Sequence, residues 1–306
     1  MAGWVLVYAA FAAGLVGAWL VVRRDRYAEV TGEPEFAGSA LERDIHADDR
    51  GTRLAGVRAF AEFADRVPSL RQDFVDQLFV QLDSGWPENR AWQAELWPVL
   101  LPRLRRGSPC FWPGMDLHPK SMVLHDVELR GCEIRNAIFH DMHFSGDVHF
   151  DGAVCTGLVS FKGSRFTRHA YFGGARFETG ADFGHTTFTG TAAFAGASTE
   201  GETWFDEARF SARADFGGAR FADTSFAGAG FAGRTSFRDA RFAEAFFGEA
   251  RFSGHADFTG ATAERVRFPR ARARTDVHAV RHWPPGWQLG PSRPRKPGHW
   301  ADLTRA

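Results

Sequence analysis

The hydrophobic pattern changes four times along the 306-residue chain and predicts five segments. An unbroken apolar run gives way to mixed charges, then to apolar residues at helical spacing, then to a short-period repeat, and finally to a polar tail. We place an apolar helix at 1–23, a juxtamembrane linker at 24–50, a small helical module at 51–107, the repeats at 115–270 and a tail rich in Pro, Trp and Arg at 271–306.

The apolar run at residues 2–22 is long enough to cross a hydrocarbon layer of about 30 Å. Arg23, Arg24 and Arg26 follow it directly, and no basic residue precedes it. A cleavable signal peptide would begin with basic residues and end at a small-residue site. The pattern therefore predicts a single-pass transmembrane helix, with an apolar helix buried in a soluble protein as the alternative. Because Lys and Arg are enriched at the cytoplasmic ends of transmembrane helices, the three arginines predict a cell-membrane protein with most of the chain in the cytoplasm.

Apolar residues recur at three- and four-residue steps between about Asp48 and Arg106, which is typical of amphipathic helices. Pro68 ends the first of three such segments. Pro98 and Pro102 fall inside the third and are expected to kink or split it, since proline removes a helical hydrogen bond. The pattern predicts a small all-α module. Its charged residues are expected to form a solvated face, with a partner-docking surface as the alternative.

Phenylalanine recurs every five or six residues from Phe139 to Phe268. Of 25 successive key positions 22 are Phe, and the exceptions are Cys155, Thr199 and Ala263. The residue two places earlier is Ala at 16 of the 25 positions. Because alternate residues of a strand point the same way, each repeat buries one large and one small side chain and turns the residue between them outward. The phenylalanines assigned to the structural core ladder are Phe161, Phe166, Phe172, Phe177, Phe183, Phe188, Phe194, Phe205, Phe210, Phe216, Phe221, Phe226, Phe231, Phe237, Phe242, Phe247, Phe252 and Phe258.

The units ADFGG at 214–218 and ARFAD at 219–223 resemble the pentapeptide-repeat family in its Phe-rich form. The resemblance implies a mainly β fold, a right-handed quadrilateral β-helix with four repeats per coil, preceded here by the transmembrane helix and the all-α module. Roughly seven coils at about 4.8 Å each would follow. The whole layout resembles membrane-anchored multidomain members with a short helical region before the repeats. The resemblance implies two stacked columns, one of Phe161, Phe183, Phe205, Phe226 and Phe247 and the next of Phe166, Phe188, Phe210, Phe231 and Phe252.

The sequence contains no GxSxG, HExxH or P-loop signature. His140 with His143, and His278 with His282, suggest metal ligands, but a zinc site needs further Cys or His residues at set spacing. The three cysteines form no disulfide framework. We therefore predict no catalytic residue, no cofactor and no metal, and a protein that is not an enzyme.

Charge is balanced over the chain, with 37 Lys+Arg against 37 Asp+Glu. Residues 115–270 hold 20 acidic and 17 basic residues, a net charge of −3. Some members of the pentapeptide-repeat family mimic DNA and bind topoisomerases. The resemblance to duplex DNA requires a far higher density of negative charge than residues 115–270 carry. We expect instead a non-catalytic scaffold for an unknown protein partner, with DNA mimicry as the alternative and no nucleic-acid partner. The resemblance also implies an end-to-end homodimer as an option. The tail either wraps the last coil through its tryptophans or is disordered.

Overall fold

The structure, a computed structural model, describes residues 44–83, 89–295 and 298–306. The chain divides into two compact units, Met1–Leu70 and Arg71–Ala306. The predicted transmembrane helix at 1–23, including the flanking Arg23, and the linker up to residue 43 lie outside the described residues. No helix within the described ranges is long and apolar enough to cross a membrane.

In the first unit, the described residues include α1 (Arg50–Arg66) and a 3-10 turn at Pro68–Leu70. Asp49 begins α1, because its carboxylate accepts a hydrogen bond from the backbone N–H of Thr52 at 2.7 Å. That hydrogen bond holds the pKa of Asp49 below its usual range. The helix ends at Arg66, two residues before Pro68, as the pattern predicts.

The second unit begins with two further helices. They are α2 (Arg71–Leu82) and α3 (Asn89–Leu104). The expected split at Pro98 and Pro102 is wrong, because α3 continues through both prolines. Trp92, Leu96 and Leu100 on this helix are fully buried. Burying each of them contributes about 1.5–3 kcal/mol, which offsets the roughly 3 kcal/mol that a proline costs inside a helix.

After the helices the chain winds into a β-solenoid of about eight turns. Each complete turn contributes four short strands, and each of these pairs in parallel with the strand one turn later. The strands form four faces, which we number in the order in which the chain visits them. The first face holds β3 (Ala137–Ile138), β6 (Val159–Ser160), β10 (Ala181–Asp182), β14 (Thr203–Trp204), β18 (Thr224–Ser225) and the second halves of β21 (Arg241–Phe246) and β24 (Thr262–Arg267). The second face holds the first halves of β1 (Val123–Glu128) and β4 (His143–His149), then β7 (Arg165–Phe166), β11 (Thr187–Phe188), β15 (Arg209–Phe210), β19 (Gly230–Phe231), β22 (Arg251–Phe252) and β25 (Arg272–Arg274).

The other two faces complete each turn. The third face holds the second halves of β1 and β4, then β8 (Ala170–Tyr171), β12 (Ala192–Ala193), β16 (Ala214–Asp215), β20 (Thr235–Ser236), β23 (Ala256–Asp257) and β26 (Arg281–His282). The fourth face holds β2 (Glu133–Ile134), β5 (Val154–Cys155), β9 (Arg176–Phe177), β13 (Ser198–Thr199), β17 (Arg220–Phe221) and the first halves of β21 and β24.

The turns keep a constant register although their length changes. Phe183 to Phe205 spans 22 residues and Phe205 to Phe226 spans 21, yet the three rings stack in one column. The lost residue comes from the corner between the fourth and first faces, where β21 runs straight through. The solenoid exceeds the roughly seven turns predicted, because the parallel bridge of Leu117 to Ala137 and the strand β26 extend its two ends.

Both ends of the solenoid within this unit are covered. At the first end, the side-chain amide of Gln72 exchanges two hydrogen bonds of 2.9 Å with the backbone of Asp116. At the last end, three antiparallel strands fold back: β27 (Trp287–Leu289), β28 (Arg293–Pro294) and β29 (His299–Arg305). Trp283 packs on Phe258, and Trp287 packs on the ring of Phe268 at 4.9 Å. The tail therefore docks on the last turn, the first of its two predicted alternatives, and protects an edge that would otherwise invite pairing.

Candidate interaction surface

The interior of the solenoid is filled by aromatic rings. All eighteen phenylalanines of the predicted core ladder are buried. The column of Phe161 and the column of Phe166 are stacked as the resemblance implied, with ring centroids 4.7–5.2 Å apart in the first and 4.9–5.1 Å in the second. A third column runs from Phe150 to Phe258 on the third face. Groups that bind or react in this part of the chain must therefore lie on its outer faces.

The fourth face is the exception to this regular stacking. Cys155, Thr199 and Ala263, the three key positions that are not Phe, all belong to its column. Thr199 separates the rings of Phe177 and Phe221, and its hydroxyl accepts a hydrogen bond of 3.0 Å from the buried hydroxyl of Thr203. This column is therefore filled by small and polar groups as well as rings.

The histidines considered as metal ligands do not gather into a cluster of ligands within the described residues. The ring nitrogen Nε2 of His140 lies 2.8 Å from the hydroxyl of Ser160, and His282 lies 3.5 Å from a carboxylate oxygen of Asp257. Across residues 44–83, 89–295 and 298–306, no group of three or more His, Cys, Asp or Glu side chains is placed to hold a metal ion.

Arginine side chains form a single file along the second face. Arg165, Arg209 and Arg251 occupy the outward strand position on every second turn, and backbone pairing through Thr187 and Gly230 keeps them in register. We call these three residues the arginine file. Their side chains are exposed, and none forms a hydrogen bond or an ion pair with a described residue. The 21- or 22-residue period of the turns, applied to the arginines beside key positions, identifies this file, whereas the five-residue repeat alone does not.

The second face differs from the others because it carries no carboxylate on its strands. The inward residue and its two neighbours on seven successive turns include five arginines and no Asp or Glu. Hydroxyl groups lie next to the arginine file at Thr167, Ser211 and Ser253. The fourth face, by contrast, alternates arginines such as Arg176 with carboxylates such as Glu178. The net charge of −3 therefore conceals a strongly uneven distribution.

An acidic ridge borders the second face at its corner with the first. Asp141, Glu207 and Glu249 occupy equivalent corner positions on different turns, each with a positive φ between 52° and 59°, and His185 and Arg270 occupy the same corner on two other turns. This conformation costs a non-glycine residue about 1–2 kcal/mol, and glycine takes the same position at Gly163 and Gly228. Glu207 lies 3.4 Å from the ring nitrogen of His185, and Glu249 pairs with Arg270 at 2.7 Å, so the ridge is only partly negative.

At its C-terminal end the second face opens into a groove of about 470 Å³, which we call the terminal groove. Its lining residues are Glu249, Arg251, Arg270, Arg272, Arg295 and Asp302. Arg270 pairs with Glu249 at 2.7 Å and Arg295 with Asp302 at 3.6 Å. Arg272 lies over the ring of Trp300, and its buried Nε has no hydrogen-bond acceptor among the described residues. Burial and the charges of Arg251 and Arg295 lower the pKa of Arg272.

The first face carries the exposed apolar groups of the solenoid's middle turns. Trp204 is 40% exposed, and Phe246 lies two turns later in the same outward column. The guanidinium of Arg267 covers the Phe246 ring at 5.5 Å. Leu158, 62% exposed, precedes this face at a corner. These groups are dispersed, so they form a weaker candidate surface than the second face.

A four-faced parallel β-solenoid with a ring-filled interior defines a repeat protein whose features for recognition lie on its outer surface. The family description "Pentapeptide repeats (9 copies)" matches residues 139–187 and 183–230, within the described solenoid. The chain belongs to the pentapeptide-repeat family. No curated protein matches the chain. Solenoids of this family are typically non-catalytic.

Proposed function

We propose that this protein is a non-catalytic scaffold whose solenoid presents its outer faces to a protein partner. The carrying observation is the combination of a filled interior with outward charges that are sorted by face. Phe205, for example, is fully buried and stacked on both sides, whereas its neighbour Trp204 points outward. A rigid right-handed core, as the family resemblance implies, would hold such outward groups at fixed spacing, which lowers the entropy lost on binding.

The scaffold is proposed to be anchored in the cell membrane with the solenoid in the cytoplasm. Support comes from the apolar run at 2–22 and the basic cluster at Arg23, Arg24 and Arg26. Membranes washed with alkaline carbonate should retain the full-length protein and lose a variant without residues 2–22. Recovery of the full-length protein in the wash would exclude the anchor without affecting the scaffold.

The scaffold itself is tested by photo-crosslinking in cells. A photoreactive amino acid would replace one outward residue per face in the full-length chain: Ser225, Thr187, Ser236 and Ser198 for the first to fourth faces. We expect a discrete protein adduct from one or two of these positions and none from a buried control such as Thr186. Adduct patterns that are identical for all five positions, or no adduct at any of them, would contradict the scaffold.

The alternative of a DNA-mimicking topoisomerase-binding protein lacks support from the surface. The arginine file would interrupt a continuous negative surface of the kind that duplex DNA presents. We expect no effect of micromolar protein in a supercoiling assay, and clear inhibition would favour the alternative over the scaffold.

A further inference from the structure

The arginine file is an array of positive charges that form no ion pair with a described residue. Two turns of a parallel solenoid rise by about 9.6 Å, which sets the spacing of Arg165, Arg209 and Arg251. At this distance salt screens their mutual repulsion, so the free protein tolerates the array. An anionic partner lying along the file would nevertheless meet three guanidinium groups in succession, each able to bind a carboxylate through two hydrogen bonds.

The terminal groove extends the same file at its end. Arg272 pairs in register with Arg251, and neither forms an ion pair with a described residue. The groove brings four guanidinium groups together with two carboxylates, a surplus of two positive charges. The groove therefore presents a net positive surface to an anionic group.

The surroundings favour a partner whose negative charges are widely spaced. Duplex DNA carries about one charge per 1.7 Å, and a partner of that density would contact the acidic ridge of Asp141, Glu207 and Glu249 beside the file. The solenoid's net charge of −3 over residues 115–270 would also repel it. A polypeptide with separated carboxylates fits the strip between the ridge and the next corner.

We propose that the second face and the terminal groove dock an acidic, extended segment of a partner protein. This inference rests on the proposed scaffold function and names the chemistry of the partner. A polyproline II segment rises about 3.1 Å per residue with three residues per turn, so every third side chain points the same way at about 9.3 Å. That spacing matches the roughly 9.6 Å between arginines of the file. An acidic residue at every third position would thus pair with Arg165, Arg209 and Arg251 in turn, or with the terminal groove.

The test measures fluorescence anisotropy of a labelled 13-residue peptide with Glu at every third position and Pro and Ala elsewhere, using the full-length protein in detergent. A peptide with Gln in place of Glu and one with the same glutamates clustered at one end are the controls. We expect binding that weakens with salt and that is weaker for both control peptides. Equal binding of the clustered peptide would overturn the spacing argument, and no binding of the Glu peptide would overturn the proposal.

Two matched triple variants locate the site. R165Q/R209Q/R251Q removes the arginine file, and R176Q/R220Q/R241Q removes three exposed arginines from the fourth face. We expect the first to weaken binding of the Glu peptide by roughly tenfold and the second by less than about twofold. Circular dichroism would verify that both variants are folded. Equal losses in both variants would overturn the assignment to the second face.

Two further probes separate a peptide from other anions. A single-stranded oligonucleotide and vesicles containing phosphatidylserine are tested under the same conditions. Binding of either that exceeds binding of the Glu peptide and depends on the arginine file would overturn the acidic-peptide assignment. A cellular crosslink through another face, combined with no peptide binding, would leave the scaffold standing and remove only this inference.

Discussion

The side-chain carbonyl of Gln93 accepts a hydrogen bond of 2.7 Å from the backbone N–H of His125, which lies on the outer edge of β1. The amide nitrogen of the same side chain donates to the carbonyl of Val123 at 2.8 Å and to that of Leu82 at 3.0 Å. Gln93 is fully buried. Its amide therefore takes the place of a neighbouring strand on β1 and at the same time satisfies the end of α2.

We expect Gln93→Leu to destabilise the second unit by at least about 2 kcal/mol. Leucine has a similar volume but leaves the His125 N–H and two carbonyls without partners, and each unsatisfied group costs about 1–3 kcal/mol. Urea unfolding followed by circular dichroism measures the loss. The control is Gln288→Leu at an exposed position of β27, which should change stability by less than about 0.5 kcal/mol. Equal losses of unfolding free energy in the two variants would mean that the hydrogen bonds of Gln93 to β1 do not stabilise the protein.

The adjacent residues Trp204 and Phe205 provide a matched test of the filled interior. Phe205 is fully buried and stacks on Phe183 and Phe226 at 5.0 Å each, whereas Trp204 points outward. Phe205→Ala should cost about 3–5 kcal/mol because it leaves a cavity in the column. Trp204→Ala should cost no more than about 1 kcal/mol. Similar costs for the two variants, measured by urea unfolding, would show that the rings of this column do not carry the stability of the core.

The repeat period made the core predictable from the sequence. The five- and six-residue spacing of phenylalanine identifies each inward position, and four repeats per turn assign Phe161 and Phe183 to one column. The same arithmetic, applied to the exceptions, would have placed Cys155, Thr199 and Ala263 together on the fourth face. The core was therefore predictable because each turn repeats the same local pattern.

The contacts that cover the two ends of the solenoid, and the features of its surface, were harder to predict from the sequence. Gln72 and Gln93 act through three-dimensional contacts with residues 44 and 32 positions away, which no local pattern reveals. The prolines of α3 show the converse, because tertiary burial outweighed a strong local signal. The arginine file was within reach of the sequence, since it needs only the repeat period, whereas the terminal groove depends on how β29 folds back.

The stability of the C-terminal strands that cover the last turn should depend on pH through the carboxylate of Asp276. The guanidinium of Arg274 donates to this carboxylate at 2.8 Å and, with the backbone N–H of His299, lowers the pKa of Asp276 to about 2. The unfolded chain has a pKa near about 3.9. The stabilisation is therefore present above about pH 4 and is lost as the pH falls toward 2, because protonation removes the acceptor.

The variant Asp276→Asn should lack this part of the pH dependence. Urea unfolding at pH 5 and at pH 2.5 would show a smaller difference for Asp276→Asn than for the unchanged protein. Asp223→Asn serves as the control, since Asp223 is exposed and its side chain forms no hydrogen bond with a described residue. An identical pH dependence in the Asp276 variant and the unchanged protein would contradict the role assigned to the Arg274 contact.

The two core cysteines should report unfolding of the solenoid. Cys132 and Cys155 are fully buried, and burial raises the pKa of Cys132 to about 11 and that of Cys155 to about 12. The thiolate, not the thiol, attacks a disulfide reagent, and at pH 8 only roughly one in ten thousand of the groups with a pKa of about 12 is a thiolate. Cys110, which is half-buried, is removed by Cys110→Ser so that only the core thiols remain.

In the Cys110→Ser variant, we expect a chromogenic disulfide reagent at pH 8 to modify almost no thiol in the native protein and both thiols in denaturant. Because Cys155 lies on the fourth face between turns, it becomes accessible only when neighbouring strands separate. Its reaction rate at intermediate urea should therefore follow the unfolding of the solenoid measured by circular dichroism. Rapid modification of both thiols without denaturant would mean that the fourth face opens locally, and the small side chains of its column would then mark a weak side of the core.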